Sequence, residues 1–365
     1  MKRHLPVLFA LAAGLSISAC QTQQPDHSNG IKSLEINEME EVDVNYTISR
    51  IVPLETTAEN LLGDNLLVKT QGNNIFIFDD KARNTIHHFN LKGSYLGKVA
   101  EVGEAPGMVK NIKDFVPTDS GLEVLVGMGD YSEVVIFDEN YEILKEIKLD
   151  YQGSSFEKLA GDLYVVSGSY NKPFVNHRVA VLNTDGEKLK VFLPNDYSNQ
   201  MLPMEERNFH KVGDRVFFHE VFNPVAYEIS KDTLEARHRF DFGRYAIPSQ
   251  FWEVDIMQGF EMINKNGFAN IYSYWENESK AFCEIYIEGE GENKNHQVIW
   301  DKESNKAVQR ILPKDKNAAF YNPVGLVGEK LVFIAQAAHV LNLETELDTQ
   351  GLNKDDNPVL LFVDF

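Results

Sequence analysis

Ile112-Lys-Asp-Phe-Val116, Leu122-Glu-Val-Leu-Val126, Glu133-Val-Val-Ile-Phe137 and Ile143-Leu-Lys-Glu-Ile-Lys-Leu149 follow one another in close succession, and this stretch decides the fold. Gly121 lies between the first two runs, and Asp138-Glu-Asn-Tyr-Glu142 separates the last two. Val, Ile, Leu and Phe suit a pleated, buried strand, whereas Gly, Asn and Asp tolerate the positive φ of tight hairpins. The segment therefore reads as four antiparallel strands in a meander.

Outward from it, both turns recur. A Gly flanked by apolar stretches, usually beside Asn, Asp or Glu, stands at 72, 121, 161, 213, 267 and 328, in steps of 49, 40, 52, 54 and 61 residues. The later turn returns as Asn90-Leu-Lys-Gly93, Asn183-Thr-Asp-Gly186 and Ser230-Lys-Asp232. A period of about 40 to 50 residues with several strands per unit predicts an all-β, six-bladed β-propeller with four-stranded antiparallel blades. One such ring accounts for residues 46–365 as a single domain. Thr47-Ile-Ser-Arg-Ile-Val52, followed by Pro53, reads as an edge strand. It is expected to close the ring against Leu331–Ala335 and Val359–Phe365, leaving no open seam. Two departures are expected in the fifth unit: a charged hairpin tip over Glu288–Asn295 and a short amphipathic helix over Asp301–Leu312, stopped by Pro313. Ala337–Asn353 is also helix-compatible.

The amino terminus carries the strongest functional signal. Lys2 and Arg3 precede the short apolar run Leu5–Leu15, and Ile17-Ser-Ala-Cys20 places a cysteine directly after small residues. This resembles a bacterial lipobox, with cleavage after residue 19 and lipid (palmitate among the acyl chains) on Cys20. The apolar run is too short to span a bilayer. Several acyl chains hold a protein at a membrane firmly, since each buried methylene adds about 0.8 kcal/mol. Residues 1–19 then form a signal peptide and 20–45 a flexible, polar spacer, placing the chain in the cell envelope at the outer membrane. Removing Cys20 leaves only Cys283, inside an apolar strand-like run, where it reads as a small core residue. With 35 Lys+Arg against 55 Asp+Glu, the net charge of -20 disfavours phosphate backbones, so no nucleic-acid partner is expected.

Ile51-Val-Pro-Leu-Glu-Thr56, Val102-Gly-Glu-Ala-Pro-Gly107 ahead of Ile112-Lys-Asp-Phe115, and Lys354-Asp-Asp-Asn-Pro-Val-Leu360 make the chain similar to the six-bladed β-propeller lipoproteins of Gram-negative envelopes, relatives of NHL-repeat and TolB-like propellers. The resemblance spans about residues 47–365. It implies the propeller fold and the envelope location but no activity, because members are mostly of unknown function. Where that family carries Gly-x-Gly-Pro-Gly-Glu-Tyr, this chain has Gly103-Glu-Ala-Pro-Gly-Met-Val109 and lacks the Glu-Tyr pair.

Candidate chemistry is expected on the propeller face opposite the first-to-second hairpins. Gly168–His177, Asn195–Asn208, His219–Pro224, Arg244–Gly259 and Tyr272–Asn277 read as long loops there, with Tyr170, His177, His219, Phe222, Trp252, Tyr274 and Trp275 as ligand-binding residues. Aromatic rings beside Asn, His and Glu combine an apolar face with orienting hydrogen bonds. Wedging between blades is the competing role for each. The alternative is a hard cation held by Asn111, Asn208, His210 and Asn322 at the starts of inner strands. No Gly-x-Ser-x-Gly elbow, phosphate-cradling loop or His-Glu-x-x-His helix is present. The favoured function is a lipid-anchored binding or scaffold module for a peptide, glycan or partner protein, without a cofactor. The alternative is a cation-dependent hydrolase or lyase of lactonase or amidating-lyase type.

Overall fold

A computed structural model describes residues 32–35, 46–172, 174–195, 206–288, 294–312, 318–343, 345, 347, 349 and 351–365. The expected signal peptide, Cys20 and most of the charged tip at 288–295 lie outside these residues.

Six sheets follow one another along the chain. Their innermost strands are Leu66–Gln71, Asn111–Thr118, Ser155–Leu159, Phe209–Val212, Phe268–Glu276 and Pro323–Val327. Each touches the innermost strands of both neighbours, the last returning to the first, so they form a closed ring around a channel. Closure of the sixth blade is as expected. Thr47–Pro53 pairs antiparallel with Val359–Asp364, from Thr47 opposite Asp364 to Pro53 opposite Val359. Val359–Asp364 in turn pairs with Lys330–Ala335.

The core is distributed over six seams. Phe76 and Phe78 of blade one pack with Phe115 and Val124 of blade two; Leu125 and Val134 with Tyr164 and Ala180 of blade three; Val165 and Val181 with Val216 and Phe218 of blade four. Phe217 and Phe240 meet Ile271 and Tyr274 of blade five; Trp275 and Phe282 meet Leu331 and Phe333 of blade six; Val332 and Phe362 return to Ile75 and Phe89 of blade one. A middle strand therefore has a neighbour on both faces, which explains why Leu163–Ser167 is buried throughout. The outermost Ile143–Leu149 alternates between exposed and buried only toward its end. Cys283 is a buried member of the seam between blades four and five, in keeping with a packing residue.

The third-to-fourth hairpins of the first three blades share one device. Asn90 Oδ1 accepts from Lys92 N (2.8 Å) and Ser94 N (3.1 Å); Asp138 Oδ1 from Asn140 N (2.8 Å) and Glu142 N (2.9 Å); Asn183 Oδ1 from Asp185 N (3.0 Å) and Glu187 N (2.9 Å). In each, the residue three positions on has positive φ: Gly93 (86°), Tyr141 (64°) and Gly186 (84°). At Gly93 the backbone also runs against the closing strand, since a Cβ there would stand 1.9 Å from the Pro53 carbonyl oxygen.

Four expectations are corrected. Gly267 is not a hairpin residue: it ends the helix Ile256–Asn266 with φ 68°, its N–H donating to Ile263 O at 3.0 Å. Asp255 caps the other end, accepting from Met257 N (2.9 Å) and Gln258 N (3.1 Å). Tyr272–Asn277 is not a loop but largely the innermost strand Phe268–Glu276, and the true hairpin is built on Asn277, whose Oδ1 accepts from Ser279 N and Lys280 N. Asp301–Leu312 is not a helix. Asp301 Oδ1 accepts from Ser304 N at 2.7 Å, and Lys306–Ile311 then pairs with Lys294–Asp301 as the outermost strand. The spacer also holds structure, for Lys32–Glu35 pairs parallel with the outer strand Leu234–Asp241 and covers its free edge.

Gly93→Ala adds a Cβ against a carbonyl in a backbone region that L-residues avoid, so a loss of about 2 kcal/mol or more is expected. Gly213→Ala meets open space and retains only the cost of its φ of 58°, about 1 kcal/mol. Thermal melts of the two variants should rank in that order.

Candidate functional site in the central channel

The sequence-selected aromatics separate into two groups. Tyr170, Phe222 and Trp252 come together with Phe251 on the face opposite the first-to-second hairpins, with ring centroids 5.1–6.1 Å apart. Tyr170 is fully buried there, its hydroxyl donating to Val221 O at 2.9 Å beneath the Arg178 guanidinium. His177 stands apart, its carbonyl accepting from Tyr151 Oη at 2.6 Å. Tyr274 and Trp275 are successive residues of one strand and enter opposite seams, Tyr274 toward blade four and Trp275 toward blade six. His219 is buried beside Tyr274, and burial lowers its pKa to about 4. Packing is thus the visible role of most of this set.

The cation candidates are dispersed in character. Asn208 is buried and engaged, with Oδ1 accepting from Ser155 Oγ (2.6 Å) and Nδ2 donating to Glu206 Oε2 (2.9 Å) and His219 O (3.0 Å). His210 Nε2 lies 3.0 Å from Glu276 O, and burial lowers the pKa of that imidazole to about 4. Asn111 and Asn322 are exposed. Among the described residues, no group of three or more His, Cys, Asp or Glu is arranged to hold a metal ion.

What the ring builds instead is a cavity of about 580 Å³ in the channel. Gln71, Asp119, Gly213 and Asp214 line it at the first-to-second hairpins, so it opens on that face. Leu67, Lys69, Val116, Lys158, Phe209, Trp275 and Val324 contribute walls from all six blades. Arg207 forms the roof. It precedes the innermost strand of blade four, yet its Nη2 donates to the carbonyl of Leu66 in blade one, on the opposite side of the ring. Although its side chain is exposed, the surface it exposes faces the channel, and burial within the ring lowers its pKa.

The other channel charges are mostly paired. Lys69 Nζ meets Asp114 Oδ1 at 2.8 Å, and Asp114 Oδ2 accepts from Phe156 N at 3.0 Å, tying three blades together. Lys158 Nζ meets Glu123 Oε1 at 2.6 Å, while Tyr164 Oη donates to Glu123 Oε2 at 2.7 Å. Glu157 is buried, accepts from Lys158 N at 2.8 Å, and has its pKa raised by burial against the opposing pull of Lys69 and Lys211. A second cavity lies beside Arg244, Tyr245, Ala246, Pro248 and Phe268, and among the described residues Arg244 is its only charged lining residue. Convergent polar groups therefore favour the channel.

Two carboxyls near the channel behave oppositely. Glu206 accepts from Ser169 Oγ (3.2 Å), Asn208 Nδ2 (2.9 Å) and Val221 N (2.8 Å), but burial and the neighbouring Glu220 charge raise its pKa to about 8. Glu220 is itself held by the Arg178 guanidinium at 2.9 Å. Glu276, at the other end of the ring, is also opposed by burial. There His238 Nε2 at 3.0 Å, Tyr274 Oη at 2.5 Å and Lys302 Nζ at 3.4 Å outweigh it and hold the pKa at about 2.

Sequence reasoning missed Arg207, Lys69 and Glu157. No local motif marks them, because each acquires its role only when strands distant in sequence are brought around one axis.

The fold defines a closed six-bladed propeller with a polar channel. The sequence matches the DUF4934 family, a domain of unknown function, over residues 37–364, and the chain belongs to it. Among solved structures, it resembles a protein from Bacteroides fragilis NCTC 9343 named as an exported one, at 18% identity, 91% coverage of this chain, 99% of that chain and a TM-score of 0.73. It also resembles a DUF4221 member from Bacteroides vulgatus ATCC 8482, at 10% identity, 87% and 97% coverage and a TM-score of 0.56. No curated protein matches the sequence.

The carboxyls have opposite pH signatures. A folded pKa of about 8 for Glu206, above the unperturbed 4.5, gives a contribution complete below pH 4.5 and lost as pH rises through 8. Glu276 contributes above pH 4.5 and loses that contribution as pH falls toward 2. Glu206→Gln should match the wild-type melting temperature near pH 5 and exceed it near pH 9. Glu276→Gln should be destabilised by about 3 kcal/mol at pH 7, with the difference shrinking in acid.

Proposed function

We propose that this chain is an exported, lipid-anchored binding or scaffold module of the cell envelope, holding a peptide, glycan or segment of a partner protein in its channel. One observation carries the reading: the cavity combines apolar walls with polar groups from several blades and opens on the hairpin face. The ring positions those groups on rigid strands, as recognition requires. The lipobox around Cys20 and the resemblance to a protein named as exported support the location.

The parts are testable separately. Thr118 lines the cavity, so Thr118→Trp should fill it while leaving the ring folded. In a thermal-shift panel of muropeptides, oligosaccharides and short peptides, a ligand that raises the wild-type melting temperature should lose its effect on this variant. Equal shifts in both proteins would place binding elsewhere and defeat the channel reading. Cys20→Ser should abolish metabolic labelling with a palmitate analogue and release the protein from membranes; persistent labelling would rule out this anchor.

A further inference from the structure

We propose that the channel is a carboxylate-binding site, with Arg207 as its anchor and Lys211 as a second cation. This rests on the channel-binding reading and names the ligand's chemistry.

Charge in the cavity is divided by partnership. Lys69 is neutralised by Asp114 at 2.8 Å, and Lys158 by Glu123 at 2.6 Å. Arg207 has no such partner: no carboxylate among the described residues lies within ion-pair distance, and its protein hydrogen bond goes to the neutral Leu66 carbonyl. A guanidinium carries five N–H donors in a planar fork, and that contact engages one nitrogen. Arg207 also lines the cavity, and no protein acceptor among the described residues engages its other nitrogens. Lys211 lines the same cavity and donates to the Lys158 carbonyl at 3.1 Å, again without an ion pair.

Two unpaired cations inside so acidic a chain call for an anion. The acidic groups that act on Arg207 are Asp114, already paired with Lys69, and Glu284, while Glu157 acts on Lys211; burial favours the neutral forms of Glu284 and Glu157. Asp119 and Asp214 lie out at the hairpin turns, where Asp119 accepts from Gln71 Nε2 at 2.8 Å. With Glu157 neutral, the two cations leave the inner cavity with a surplus of about two positive charges, which suits one carboxylate held by both cations or the two carboxylates of a diacid. A carboxylate also fits the flat guanidinium fork with two parallel hydrogen bonds. An organic acid and a peptide C-terminus both present this group.

The purified full chain is titrated calorimetrically at low ionic strength with succinate and with the dipeptide Ala-Ala, using inorganic phosphate, glucose and choline as comparison probes. Saturable binding of at least one carboxylate is expected, with phosphate weaker and choline silent. Succinate alone points to organic acids, and Ala-Ala alone to peptide termini. Arg207→Gln should weaken binding about tenfold or more and Arg207→Lys less, because lysine keeps the charge but lacks the fork. Lys211→Gln should weaken it by about threefold. Its loss leaves only one exposed hydrogen bond unmade, so this variant remains informative if Arg207→Gln fails to fold.

Carboxylates that do not bind, bind no better than phosphate, or bind unchanged in both neutral variants overturn the proposal. Glucose binding that Thr118→Trp abolishes and Arg207→Gln leaves intact would keep the channel reading and overturn only the carboxylate. Carboxylate binding undiminished by Thr118→Trp would overturn both.

Discussion

The ladder between Thr47–Pro53 and Val359–Asp364 is the constraint on which the rest of the structure depends. Six blades in a row would leave two terminal faces uncovered and an unpaired strand edge in the last sheet. Joining the two ends of the described propeller removes both. Each seam can then be buried from two sides, and each innermost strand is held at a defined distance from the axis. The closing strand is secured again where it leaves the blade, as Leu54 N donates to Pro358 O at 3.3 Å and Glu55 N to Gly93 O at 2.8 Å.

Closure also explains where charge is tolerated. In the seams, two buried carboxylates among the described residues are surrounded by donors: Glu220 by Arg178 and Asn223, and Glu276 by His238, Tyr274 and Lys302. A buried carboxylate is costly, and at Glu276 hydrogen bonds and nearby cations offset desolvation and hold its pKa at about 2. Glu284 shows the other outcome, its pKa raised to about 8 by burial despite bonds from Asn295 and Ser273. In the channel, geometry differs because strands meet around open space. Lys69 and Asp114 bridge neighbouring blades, while Arg207 reaches the far wall and lines the cavity.

Much of the ring was legible because turns are local. Asn90, Asp138 and Asn183 each fold the chain back through hydrogen bonds to residues two and four positions on, so their meaning lies within a few residues. Gly267 misled because a Gly after Asn can end a helix as readily as turn a hairpin; both require positive φ. The actual fifth hairpin uses Asn277 without glycine, and so Tyr272–Asn277 looked like a loop. Asp301–Leu312 carried apolar residues at helical spacing, but pairing with Lys294–Asp301 overrode that local pattern.

The sequence by itself determined the number of blades, the meander outside the fifth blade and the strand that closes the ring, since these follow from strand propensity and turn chemistry along the chain. Only the tertiary structure decided that Tyr274 and Trp275 wedge into opposite seams, that Asn208 is a hydrogen-bonded strut, and that Arg207 spans the channel. The physical reason is separation. Arg207 and Leu66 are 141 residues apart, and a side chain's partners at that distance are set by ring closure, with no signature among its sequence neighbours.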